Sequence, residues 1–122
     1  MVNVVHLVGR LGAAPEVREV QVGEETRKVA NFSLAVSHRW RDQAGEVQER
    51  TDWIPITCWG TLAEVAQEHL SKGRLVYVGG RLQKDVWTDE ESGQTRSRMK
   101  VVADSIRMLD QPPTTEEPPK GG

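Results

Sequence analysis

A chain of 122 residues supports one domain, large enough to bury a core without a metal or a disulfide framework. Its 16 basic and 18 acidic residues leave a formal charge of -2; three of the acids, Asp110, Glu116 and Glu117, stand with one base, Lys120, at the end, so residues 1–109 balance. A single cysteine excludes an intramolecular disulfide, no apolar run approaches a membrane span and no signal-peptide pattern opens the chain, which predicts a soluble cytosolic protein in a reducing compartment.

Asn3 to Arg10 is β-branched and apolar on both faces, the pattern of a strand covered on both sides at least in part. Gly9 and Gly12 predict a bend or a close backbone approach, and Glu16 to Val22 continues the same strand around a curve. After a turn at Gly23-Glu24-Glu25, a second strand begins near Arg27. There Ala30, Phe32, Leu34 and Val36 alternate with Asn31, Ser33, Ala35 and Ser37, a period of two with one buried face. Trp40 ends this strand between Arg39 and Arg41. The polar stretch Asp42 to Arg50 with its central Gly45 forms a hairpin tip and is expected to bring Trp40 near Trp53.

The third strand, Asp52 to Gly60, sets Ile54, Ile56 and Cys58 on a core face and Trp53, Pro55, Thr57 and Trp59 on the opposite one. Cys58 is then a buried small hydrophobe. Thr61 and Glu64 have capping-box spacing, Leu62, Val65, Ala66 and Leu70 form an apolar stripe, and Gly73 supplies a stop, which predicts a helix of about three turns. Leu75 to Leu82 is a fourth strand in which Gly79-Gly80 permits a bulge. Trp87 precedes a second hairpin tip, Thr88 to Gly93, and the fifth strand returns with Arg96, Arg98 and Lys100 on one face and Met99 and Val101 on the other. Residues 110–122, rich in proline and acid, have nothing to bury and are expected to form a disordered tail on a domain spanning 1–109. Three strands, a helix and two strands predict an all-β OB-fold, a five-stranded Greek-key barrel with one helix between strands three and four.

Charge sign is segregated along the chain. No acid occurs between Thr26 and Arg41, between His69 and Lys84, or between Ser92 and Ala103, so basic strands and acidic loops can lay a positive track on a neutral molecule. Each of four tryptophans stands beside or on the same face as such a block: Trp40 between arginines, Trp53 after Arg50, Trp59 on the face of Trp53, and Trp87 after Lys84. Tryptophans are ordinarily core residues, but here Ile, Val, Leu and Phe32 already fill the core faces. Single-stranded nucleic acid needs this interleaving, because bases stack on aromatics for about 1 to 3 kcal/mol each while Lys and Arg follow the phosphates. His6, His38 and His69 are dispersed, without metal-ligand spacing, and no phosphate loop, nucleophile elbow or carboxylate pair is present. No enzyme, metal or cofactor is expected.

Several separated motifs occur in one order: Asn3 to Gly12, Pro15-Glu16-Val17-Arg18, Trp40-Arg41-Asp42, Trp59-Gly60 followed by Leu62 to Ala66, Lys72-Gly73 and Trp87-Thr88-Asp89. Over residues 2 to about 109 the chain resembles the bacterial single-stranded DNA-binding protein family. The resemblance implies an OB-fold homotetramer in the bacterial cytosol around which single-stranded DNA wraps, protected during replication, recombination and repair. By position it implies base stacking at Trp40, Trp53, Trp59 and Trp87, with Trp59 standing where Phe is common. With the basic blocks, the expected phosphate track comprises Arg10, Arg18, Arg39, Arg41, Lys72, Arg74, Arg81, Lys84, Arg96 and Arg98. The strand at Val4, His6 and Val8 matches the family's subunit contact. Thr61 stands where Lys is frequent, removing one phosphate contact, and Ile54 where many members carry a polar residue at a subunit contact. The family's acidic tip with a terminal Phe is not matched by Pro119-Lys120-Gly121-Gly122, so recruitment of replication and repair proteins through such a tip is not expected of this chain. The rival reading is an accessory OB module for RNA, a protein or an oligosaccharide.

Overall fold

The computed structural model describes residues 1–110, and the tail expected beyond Asp110 lies outside them. The elements run β1 (Val5–Leu11), β2 (Glu16–Val22), β3 (Glu25–Arg41), β4 (Val47–Trp59), α1 (Thr61–His69), β5 (Leu75–Thr88) and β6 (Thr95–Met108). The stretch expected as one curved first strand is therefore two segments. Both lie antiparallel to β3, with Arg10 opposite Ala35 and Glu16 opposite Asn31, so the two form one rail interrupted at residues 12–15.

The sheet runs β1-β5-β6-β4-β3-β2, and a further pairing of β1 with β3 closes it. Closure gives β1 a partner on both sides and leaves β2, paired with β3 alone, as the strand with a free edge. It requires close approach: a β-carbon on Gly9 would collide with the backbone of Ala35, so only glycine lets the two strands meet there. The bulge anticipated at Gly79-Gly80 is present as a register shift between β5 and β6. β4 and β6 are joined in parallel through Ile56–Val101 and Thr57–Val102.

The core forms where alternation directs it. Ala30, Leu34, Cys58, Val76 and Val78 are wholly buried, Ile56 and Val101 nearly so, and Phe32 and Ile106 join the same cluster. Each large aliphatic chain so buried contributes roughly 1.5–3 kcal/mol. The helix closes one end of this barrel through Ala63, Ala66 and Leu70. Two local expectations fail there. Gly60, not Thr61, is the N-cap, and it has no side chain to cap with; Thr61 is already helical, and the Glu64 carboxylate lies 4.0 Å from Lys28 Nζ instead. The helix also stops at His69, because Leu70 turns extended and drops its side chain into the core.

Candidate nucleic-acid interface

Strand parity places Trp53, Pro55, Thr57 and Trp59 on the outer face of β4, and register continues that face onto Asn31, Ser33 and Ala35 of β3 and onto Arg98, Lys100 and Val102 of β6. Across it runs a groove of about 970 Å³, floored by Asn31, Ser33, Trp53, Pro55 and Thr57. Gly12, Ala13, Ala14 and Arg18 wall one side, and Asp85, Arg98 and Lys100 the other. Trp53 is the most exposed of the four indoles at 60%. A β-carbon on Gly12 would overlap the Trp53 ring, so the missing side chain lets the indole lie against the corner between β1 and β2.

The other indoles are also exposed but occupy separate places. Trp59 lines a second concavity with Arg27, Lys28 and Gly60, at the opposite end of β4 from the hairpin. Trp87 lies on the outer face of the β5–β6 hairpin opposite Arg96. Trp40 pairs with Gln48, whereas Trp53 pairs with Ala35, so the expected approach of Trp40 to Trp53 does not occur. The reason is the short turn at Asp42–Glu46, which displaces the two indoles by five residues and puts them on opposite faces. Trp40 stacks instead on His38, with ring centroids 5.6 Å apart. Asp42 holds this tip: its carboxylate accepts hydrogen bonds from the Glu46 and Ala44 amides and from Gln48. Those bonds, that of the Glu46 amide first, keep its carboxyl below the usual carboxylate range.

The ten expected phosphate ligands divide by their existing partners. Arg74 is removed from the track: it is buried, with Nε donating to Asp110 Oδ1 at 3.1 Å, Nη1 to the His69 carbonyl and Nη2 to the Asp110 carbonyl. It clips the end of α1 to the end of β6. Asp110 also accepts from the Leu75 amide and belongs to the barrel, not to a loose tail. Arg10 donates to the Gly73 carbonyl and reaches Asp110 at 3.4 Å. Arg39 is paired with Glu49 and Arg96 with Asp89, and Arg41 donates to the Gly45 carbonyl. Among the described residues no carboxylate lies within 4.0 Å of Arg18, Lys72, Arg81, Lys84 or Arg98. Arg18 and Arg98 face each other across the groove; Arg81 shares the outer face, Lys84 pairs with Met99 on the inner one, and Lys72 lies in the turn after α1.

Lys100 meets Asp85 at 2.9 Å, and Asp85 is held low first by Gln83 and then by Lys100. Alternation alone missed the polar floor. Thr57, on the outward face, is only 3% exposed, and its hydroxyl donates to Asn31 Oδ1 at 2.7 Å. A threonine facing an asparagine across two strands signals this only once the register is known. Val4, just before β1, and Val8 on its outer face are exposed, and His6 Nδ1 lies 2.8 Å from the Tyr77 hydroxyl. Among the described residues no three His, Cys, Asp or Glu side chains gather as a metal site, and no helix is long and apolar enough to cross a membrane.

A barrel of this strand order with one helix between β4 and β5 defines an oligonucleotide/oligosaccharide-binding fold. The chain belongs to the single-strand binding protein family, whose model matches residues 2–109. It is 42% identical over 107 residues to single-stranded DNA-binding protein 1 of Chlorobaculum tepidum, an alignment covering 88% of this chain but 64% of that protein. The chain thus spans less than two thirds of the relative's length. The solved complex of Plasmodium falciparum SSB with ssDNA superposes with a TM-score of 0.78 at 30% identity, covering 90% of this chain and 96% of the other.

Proposed function

We propose that this protein binds single-stranded DNA without regard to sequence, by stacking bases on its outer-face indoles while Arg18, Arg98 and Arg81 accompany the phosphates. The observation that carries this reading is the position of Trp53, exposed on the floor of a groove whose walls carry Arg18 and Arg98, neither of them in an ion pair within 4.0 Å among the described residues. An extended polyanion with flat bases satisfies both features at once. Trp59 with Lys28, Trp87 and Trp40 extend the contact beyond the groove, as a strand wrapping the barrel requires. Family membership and the DNA-bound relative of Plasmodium falciparum support the same ligand.

The reading extends to a homotetramer that protects single-stranded DNA during replication, recombination and repair in the bacterial cytosol, with Val4, His6 and Val8 in a subunit contact. Two exposed valines flanking a histidine on one strand face suit burial against a second copy. Sedimentation with and without oligo-dT tests assembly and binding together, and tryptophan quenching gives the affinity. Oligo-dT should bind and quench, with affinity falling as salt rises at a slope near -0.7 per neutralised phosphate. A monomer throughout refutes the assembly, and absence of quenching refutes the ligand. Equal competition by a matched RNA would favour the accessory RNA-module reading.

A further inference from the structure

We propose that Asn31 is a base-reading residue, its amide held by Thr57 so that the groove floor offers hydrogen-bond donors to a base carbonyl. This rests on the single-stranded DNA reading above and adds to stacking a directional contact.

The two residues are direct cross-strand partners between β3 and β4, in the middle of the outer face. A hydroxyl on a nearly inaccessible side chain must donate to something, and Thr57 spends its proton on Asn31 Oδ1 at 2.7 Å. That bond occupies the acceptor of the amide and turns it by one definite rotation, leaving the Nδ2 group as the end available for a ligand. Among the described residues nothing accepts a hydrogen bond from Asn31 Nδ2, and the side chain is half-buried in the groove lining. A half-buried amide held in one orientation, with its donors free of protein partners and open to the groove, is suited to an oxygen acceptor. Phosphates are served by Arg18 and Arg98 at the walls, whereas the floor is where bases must lie if the backbone follows the cations.

The acceptor class follows from this geometry. Thymine, cytosine and guanine carry carbonyl oxygens on their edges, and an amide N–H pairs with any of them. Asn31 stands four residues along β3 from Ala35, the partner of Trp53, roughly 13 Å at the rise of a strand. It therefore meets a neighbour of the base stacked on Trp53 and not that base itself. Stacking and carbonyl reading are thus separate contacts on successive nucleotides.

The test compares a short oligo-dT with the same oligonucleotide carrying difluorotoluene, which has the shape of thymine but lacks its carbonyls, at every base. Affinities are measured for the wild-type chain, Asn31→Ala and Thr57→Val. The wild type should prefer thymine over difluorotoluene, and the preference should shrink by about two- to tenfold in Asn31→Ala, the range of one neutral hydrogen bond. Thr57→Val keeps the shape of the floor and the donor, and should lose part of the preference because the amide is free to rotate. It also serves if Asn31→Ala fails to fold. A preference identical in wild type and in the folded variants overturns the inference while leaving oligo-dT binding intact. Failure of the wild type to bind oligo-dT at all would instead overturn the reading on which it rests.

Discussion

Gly12 and Trp53 are held in contact by the absence of one atom. A β-carbon on Gly12 would occupy space filled by the six-membered ring of the Trp53 indole, so the ring lies against the corner between β1 and β2 in the lining of the groove.

Gly12→Ala should therefore act on the ligand more than on the fold. The obstructing atoms belong to an exposed side chain that can swing away, so unfolding free energy should change by less than about 1 kcal/mol. Oligo-dT affinity should fall by part of the loss seen in Trp53→Ala, which is expected at about 1–3 kcal/mol. Fluorescence titration beside chemical denaturation checks the division, and unchanged affinity would detach the glycine from the indole.

Trp40 and Trp53 should act independently. They lie on opposite faces of the β3–β4 hairpin, and the partner of Trp53 stands five residues from Trp40. Changes more than about 7–10 Å apart with no shared partner add to within roughly 0.5 kcal/mol. The double Ala variant should lose the sum of the two single losses in oligo-dT binding, and a clear departure would point to direct coupling.

Arg98 and Arg74 should separate binding from stability. Arg98→Ala removes a groove-wall cation that makes no close ion pair, its cross-strand neighbour Asp85 being bridged to Lys100, so the salt dependence of binding should flatten by about 0.7 in slope with little effect on unfolding. Arg74→Ala leaves Asp110 without its buried partner and should cost about 1.5–3 kcal/mol of stability, with the slope intact. Urea unfolding and salt titration of both variants decide this, and exchanged phenotypes would reverse the assignment.

Cys58 ties stability to alkaline pH. Burial pushes its thiol up from 9.0 to about 11, so folding favours the neutral form. A group whose pKa is raised on folding stabilises fully below its unfolded pKa, so this contribution is complete below pH 9 and disappears between 9 and 11. The loss should reach about 2–3 kcal/mol. Lysines also titrate in that window, so the measurement is the difference between the wild type and Cys58→Ala across it. Equal pH dependence in the two would show that the thiol ionises as easily folded as unfolded.

Alternation made the barrel legible. Phe32, Leu34, Ile56 and Val78 lie inside because a period of two leaves them no other side, and Gly79-Gly80 announced the bulge for want of side chains. What could not be read depended on register. Composition puts Trp40 beside Trp53 because the nine polar residues from Asp42 to Arg50 read as a longer tip than the turn that Asp42 nucleates. Arg74 looks like any strand-end cation until Asp110, in a stretch that composition assigns to the tail, is seen closing on it. The Asn31–Thr57 pair is invisible for the same reason, since its members are 26 positions apart along the chain.

Because Asp110 is anchored by Arg74, Arg10 and the Leu75 amide, the last described residue doubles as a structural rivet. A truncation after Leu109 would act as a lesion of the barrel, because it removes the carboxylate on which these three donors converge. Any segment continuing past that residue sets out from a fixed berth at the end of β6.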